Sequence, residues 1–281
     1  MISLLDPEGL SGIPNKKVLR QSTLGTADTC HKRLQYDMDP NVPYSTGPYR
    51  VFGTGYHAGV EAHYLGAPIA PAVNSVFNSE EAALVHDWGE DWIDAEQAQA
   101  HCLQLVSDSL QHSWLNFDGI EVIGTEITMW ADLPAADWVM KGTVDLVLGG
   151  PFIKERFEVD HMIVDHKTAR RKWAKNRENA RKTNQPCWYA FWWAMLWAQA
   201  YGGDMPTVGF CFDIMTHKME FQRRWPDVTD AQKSAVLSKA ALVCELIDSD
   251  GPFLPNTQSF LCSSKWCDHW QICPFGASLG D

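Results

Sequence analysis

Three apolar segments in succession constrain this chain more than any other feature. EVIGTEITMWAD, WVMKGTVDLVLGG and FEVDHMIVDHKT, all within residues 121–168, are rich in β-branched and aromatic residues and are broken by Pro and Gly, which predicts three consecutive strands. The second sets Asp145 among apolar neighbours, and the third does the same with Asp165. A carboxylate in an apolar strand is costly unless it is paired or bound to a metal, and two such acids on adjacent strands can converge on one divalent ion. Lys167 follows Asp165 by two residues, so the alternation of a strand sends both side chains to one face. An acid that holds Mg²⁺ with a Lys beside it meets the needs of phosphodiester hydrolysis: charge neutralisation and a cation to orient water. A bare Asp-x-Lys is also how a surface ion pair reads.

Helices are expected on either side of this block. After an extended arm over residues 1–20, Ser22–Tyr36 predicts a short helix ending near the turn-prone DMDPNVP. GTGYHAGVEAHYLG predicts a second, whose glycines permit close helix approach. NSEEAALVHDWGEDWIDAEQAQAHCLQLVSDSLQHSWL predicts one long or two shorter helices, opening on Asn78 as N-cap with Glu81 three residues on. Beyond the strands come a helix from about Asn184 to Tyr201 with Pro186 in its first turn, and strands in TVGFCFDIMT and KMEFQRRW. A last helix follows in VTDAQKSAVLSKAALVCELIDS, with Thr229 and Gln232 as a capping box. This order describes an α/β domain with a mixed sheet and a helical insertion or cap before it.

With 281 residues, 45% hydrophobic and 21% charged, the chain can bury a full core. Its formal net charge of −12 argues against coating nucleic acid by overall charge but leaves room for a local grip. KTARRKWAKNRENARK, residues 167–182, holds eight Lys or Arg against one Glu. It reads either as a patch that neutralises phosphates or as a solvated charged face. Its candidates for DNA contact are Arg170, Arg171, Lys172, Trp173, Lys175, Arg177, Arg181 and Lys182. Trp188, Trp192, Trp193 and Trp197, on a helix apolar all round, fit a buried core better than base stacking. MISLLDPEGLSG lacks a basic start and a long apolar segment, and no run is long enough to cross a bilayer, so a cytoplasmic, intracellular setting without a membrane partner is expected. Cys102, Cys187, Cys211 and Cys244 sit in apolar stretches and read as small buried hydrophobes, whereas the close trio Cys262, Cys267 and Cys273 suits metal ligation.

Four motifs in order carry a family likeness: GTGYH with His57, GTVD with Asp145, VDHKT with Asp165 and Lys167, and QPCWY with Gln185 and Tyr189 one helical turn apart. Together they resemble the PD-(D/E)XK nuclease superfamily in its RecB-like exonuclease branch, over most of the chain from about Ser22 onward. The resemblance implies a restriction-endonuclease-like core, a mixed central sheet flanked by helices, in a single nuclease domain over residues 1–281. Within it, residues 22–118 would be an N-terminal helical region holding Cys30 and His57, residues 119–225 the core, and residues 226–281 a helix and cysteine tail. It implies that His57, Asp145, Asp165 and the main-chain carbonyl of His166 hold Mg²⁺ or Mn²⁺. Lys167 would be the catalytic lysine, and Gln185 and Tyr189 would contact DNA or support it. Glu126 has no assigned place in the match and reads as a structural acid or one standing behind the ligands.

A subset similar to AddB and the CRISPR-associated RecB-like nucleases carries one upstream Cys and three terminal ones around a [4Fe–4S] cluster. Cys30 in STLGTADTCHKRLQY, where Ser22, Arg33 and Tyr36 also match, would join Cys262, Cys267 and Cys273 and clamp the two ends of the domain. A structural zinc on the same cysteines, with His31 or His269, is the rival; the lack of a C-x-x-C pair favours iron–sulfur. A buried, inert trio is the third reading. The implied activity is a metal-dependent DNA exonuclease working at strand ends, in repair, recombination, phage replication or CRISPR-type processing, with a helicase or annealing protein as a potential partner. The alternatives are a non-catalytic DNA-end-binding recombination partner, against which Asp145, Asp165 and Lys167 together argue, and an endonuclease of the same superfamily.

Overall fold

A computed structural model describes residues 16–42, 46–133, 137–173 and 184–279. In chain order they form β1 (Lys17–Arg20), α1 (Gln21–Thr29), α2 (His31–Met38), α3 (Pro48–Tyr64), α4 (Ile69–Phe77), α5 (Glu80–Ala83) and α6 (Ala95–Leu110). There follow β2 (Glu121–Asp132), β3 (Trp138–Gly149), α7 (Pro151–Phe157), β4 (His161–Ala169), α8 (Gln185–Tyr201), β5 (Val208–Thr216), β6 (Phe221–Arg224), α9 (Asp230–Asp248) and α10 (Pro274–Leu279). They divide into two compact units. One holds Thr46–Met129 and Thr143–Thr229; the other holds the described residues before 43, Trp130–Gly142 and those from Asp230 on.

In the first unit α3 is the helix on which the others close, and two glycines one turn apart explain how. A Cβ on Gly55 would lie 2.7 Å from Phe77 Cε2, and one on Gly59 would lie 2.7 Å from Val106 Cγ2 and 2.9 Å from Val73 Cγ2. Helices α4 and α6 therefore occupy space that any side chain there would fill. Phe52, Tyr56, Leu105, Trp88 and Trp92 complete this core, the two tryptophans anchoring the non-helical link between α5 and α6. The sequence left open one long helix or two shorter ones here, and there are two. Asn78, expected to cap the first, instead ends α4, and Ser79 accepts the Ala82 N–H in its place.

The sheet of this unit is mixed, as expected. β3 and β4 are antiparallel, β4 and β5 parallel, β5 and β6 antiparallel, and β2 pairs with β3. A parallel pair needs a crossover, which α8 supplies between β4 and β5. Trp188, Trp192 and Trp193 on α8 are buried core residues, and Trp197 is partly buried. Leu146, Leu148, Met162, Val164 and Cys211 pack with Trp114 and Ile153 in a second cluster. Helix α7, absent from the sequence reading, starts at Gly150, whose φ of 92° and 2.6 Å approach of a would-be Cβ to the Gly119 carbonyl admit only glycine.

In the second unit β1 runs parallel to the start of β3, pairing Lys17↔Trp138 through Arg20↔Lys141, so the expected extended arm contains a strand. The helix expected over Ser22–Tyr36 is two helices, broken at Cys30, which is extended at φ −167° and ψ 120° and both ends α1 and precedes α2. Helix α9 buries Val236, Ala240, Val243 and Cys244 at helical spacing. Among the described residues no helix is long and apolar enough to cross a membrane.

The two kinds of glycine predict opposite effects in urea denaturation. Gly59→Leu loses about 1–3 kcal/mol by overpacking, whereas Gly25→Ala on α1, where a Cβ meets nothing within 4 Å, gains about 0.5–1 kcal/mol.

Candidate metal centre

His57 on α3, Glu126 on β2 and Asp145 on β3 each offer a donor atom, and these atoms lie within 4.8 Å of one another. Among the described residues this is the one group of three His, Cys, Asp or Glu donors so close together. Asp145 holds it in place: its Oδ2 lies 3.3 Å from His57 Nδ1 and accepts the His166 N–H at 2.7 Å. The β3–β4 ladder runs from Leu148↔Met162 to Leu146↔Val164, and just past it the Asp145 side chain takes up a β4 amide. Glu126 has a φ of 46°, in the left-handed region, within a strand. That backbone costs a non-glycine residue on the order of 1–3 kcal/mol and persists where the surroundings over-determine it, commonly at functional sites.

The electrostatics are those of acids short of positive charge. Burial, then the neighbouring Asp145 charge, push the Glu126 carboxyl up to about 7. Burial acts to raise Asp145 as well, but His57, by charge and hydrogen bond, holds it down to about 2. Burial acts to lower His57, and the Asp145 charge overrides it, so the imidazole is raised.

The next layer comes from β4 and α8. Asp165 is only 3% exposed; Lys167 Nζ lies 2.6 Å from its Oδ2, and Gln185 Nε2 donates to its Oδ1. Burial pushes Asp165 up to about 6 against the pull of Lys167. Tyr189 hydrogen-bonds Gln185, so the two α8 residues stand behind the acid that holds the lysine. Asp165 and Lys167 therefore share a face, as the strand period predicts. Asp165 is not one of the three donors gathered within 4.8 Å, while Glu126, given no role by the motifs, is. Its signal in the sequence is a lone acid inside a strand-like segment; its left-handed backbone has none. A cleft of about 700 Å³ opens on His57 and Glu126, lined also by Arg50, Glu61, Thr128 and Thr143.

The basic segment is partly engaged elsewhere. Arg170 pairs with Glu90 at 3.2 Å and Asp91 at 2.9 Å, and Lys172 with Glu220 at 2.8 Å. Trp173 packs on Phe212 and donates its N–H to Gln222, and Arg171 is exposed. Lys175, Arg177, Arg181 and Lys182 lie outside the described residues.

In the second unit Cys30, Cys262, Cys267 and Cys273 line one enclosure with Tyr36 and Trp270, and none is in a disulfide. The tail is clasped to α1 and α2 around them. Asn256 donates its N–H to Cys30 Sγ at 3.4 Å, Arg33 pairs with Asp268 at 3.0 Å, Tyr36 Oη donates to the Ile272 carbonyl at 3.1 Å, and His269 Nε2 meets Asp37 at 2.7 Å. Burial first, then the other three thiols, push Cys262 up. Cys102, Cys187, Cys211 and Cys244 are buried, in line with their reading as small hydrophobes.

No family model and no curated protein matches the chain. Among solved structures, a protein from Eubacterium rectale named "Putative exonuclease" is 12% identical over 98% of this chain and 92% of its own, with a TM-score of 0.55. The structure of SSO0001 is 13% identical over 91% of this chain and 96% of its own, with a TM-score of 0.37. At this identity the first likeness shows the fold alone: the chain shares the mixed α/β architecture of that neighbour.

A divalent ion held here would displace protons from Glu126 and His57, so Mn²⁺ affinity should rise with pH through about 7, where Glu126 loses its proton. Calorimetric titration in buffers of different ionisation heat should show that proton release. Glu126→Gln should lower the affinity on the order of tenfold and release fewer protons; an affinity independent of pH from about 5.5 to 8 would contradict the assignment.

Proposed function

We propose that the chain is a divalent-metal-dependent deoxyribonuclease of the PD-(D/E)XK type, an exonuclease working from strand ends. The observation that carries this reading is the gathering of His57, Glu126 and Asp145 donors within 4.8 Å, with the Asp165–Lys167 pair on the adjoining strand. The fold shared with a protein named as an exonuclease supports it.

One imidazole and two carboxylates are donors suited to Mn²⁺ or Mg²⁺, and a carboxyl pushed up to about 7 by burial and a like charge fits a place meant for a cation. A bound ion would supply positive charge against a phosphate and make water more acidic. The chain's own contribution is placement. The His166 N–H and His57 orient Asp145. Asp165, itself held by Gln185, fixes the Lys167 ammonium, which can meet negative charge developing on phosphate oxygens. Asp165 and the His166 carbonyl, next in line on β4, complete the ligand set that the resemblance implies. A DNA-end-binding protein without catalysis would share the fold but would have no use for an ammonium so held.

For the cysteines we propose a structural [4Fe–4S] cluster. Four thiols facing one enclosure support it, as does the lack of a C-x-x-C pair. That none of the eight cysteines is in a disulfide fits a reducing, intracellular setting. A helicase or annealing protein would present the DNA end.

Linear DNA labelled at either end, beside a closed circle, tests the activity. Mg²⁺ or Mn²⁺ should support loss of the linear form alone, EDTA should stop it, and Lys167→Ala or Asp145→Asn should slow it at least about 10²-fold. Cleavage without metal, or variants that keep most of the rate, would sink the reading. Cys262→Ser should lose iron and solubility together, read by metal analysis and visible absorbance; a stable, iron-free and fully active variant would refute the cluster's structural role.

A further inference from the structure

The cleft that opens on the metal centre is walled by one face of α3. Arg50, Thr54, His57 and Glu61 follow one another at three- or four-residue spacing along it. Arg50 stands seven residues before His57, about 10 Å away along the helix axis at 1.5 Å per residue. That is about three nucleotides of a stacked strand at 3.4 Å each. Among the described residues lining the cleft Arg50 is the one Lys or Arg, and the acids on the same wall and floor, Glu61 and Glu126, would repel a phosphate backbone.

The guanidinium is oriented. Its Nε lies 3.0 Å from Glu81 Oε1, and Glu81 also accepts the Thr46 hydroxyl at 2.9 Å. The side chain stays 48% exposed, and a planar guanidinium held in a fixed orientation suits contact with phosphate. Neighbouring groups are less suited. Arg170 is shared between Glu90 and Asp91, and the Tyr49 ring stacks on His217 at 5.9 Å with the Arg170 guanidinium 5.7 Å from its centroid.

We infer that Arg50 is a strand-positioning residue, whose guanidinium holds a backbone phosphate about three nucleotides from the bond at the metal centre, so that the substrate strand runs along α3. This rests on the nuclease reading of that centre and adds the path of the strand and a minimum length for good substrates.

The test uses the full chain and fluorescein-labelled oligothymidylates of two to eight nucleotides. Cleavage is followed in Mn²⁺ and binding by anisotropy in Ca²⁺ over a range of salt. For the wild type, kcat/KM should step up once the strand extends about three nucleotides from the cleaved bond. Arg50→Ala should remove that step, raise KM on the longer strands roughly tenfold and leave the dinucleotide unchanged. It should also lower the slope of log affinity against log salt by about 0.7, the value of one single-strand phosphate. Arg50→Lys should restore the slope but not the full affinity. Wild-type Mn²⁺ affinity in the variants shows the metal centre intact; if Arg50→Ala lacks it, Arg50→Gln is read in its place. An unchanged length dependence and salt slope would overturn the inference and leave the nuclease reading standing, as would an equal loss on every length. A wild type that neither binds nor cleaves these strands would overturn both.

Discussion

The carboxylate of Asp145 is the joint on which the first unit's chemistry depends. It belongs to β3, takes a contact from His57 on α3 and binds the His166 amide of β4, so one side chain fixes three elements at the point where two strands stop pairing. Leaving such buried partners unsatisfied costs about 1–3 kcal/mol each. The two glycines that let α4 and α6 close on α3 serve the same end, because they set the helix that presents His57. Packing and chemistry thus share a helix, and the kinked Glu126 faces it from β2.

Charge explains the arrangement around that joint. The chain carries a formal net charge of −12, and its site gathers acids that burial alone would neutralise. Lys167 and His57 offset part of this, and the Glu126 carboxyl stays raised. The same excess of acid also pairs with Arg170 and Lys172, half-exposed side chains that the sequence offers as phosphate contacts. A run of basic residues gives no sign of which of them a folded chain will pair internally. Such pairs are decided by residues far away in sequence, here Glu90, Asp91 and Glu220.

What was legible in the sequence followed from period and motif. The strands holding Asp145 and Asp165, the shared face of Asp165 and Lys167, the burial of Trp188, Trp192 and Trp193, and the mixed α/β order all came from local patterns with a simple physical reading. The rest depended on features without a local signature. Helix α7 is seven residues long, too short for periodicity to register. Cys30 breaks a helix that its neighbours would continue, and it faces the tail cysteines across more than two hundred residues of chain. Glu126 reads as an ordinary strand residue, and nothing local in the sequence marks its positive φ. In each case a distant partner or a backbone kink decided the outcome, which propensity does not encode.

The central claim is that His57, Glu126 and Asp145 form a divalent-metal site. Anomalous diffraction from crystals grown with Mn²⁺ tests it most directly. The account predicts a peak in contact with the His57 imidazole and the carboxylates of Glu126 and Asp145. No peak there, or an ion bound elsewhere with His57 still paired to Asp145, would contradict it.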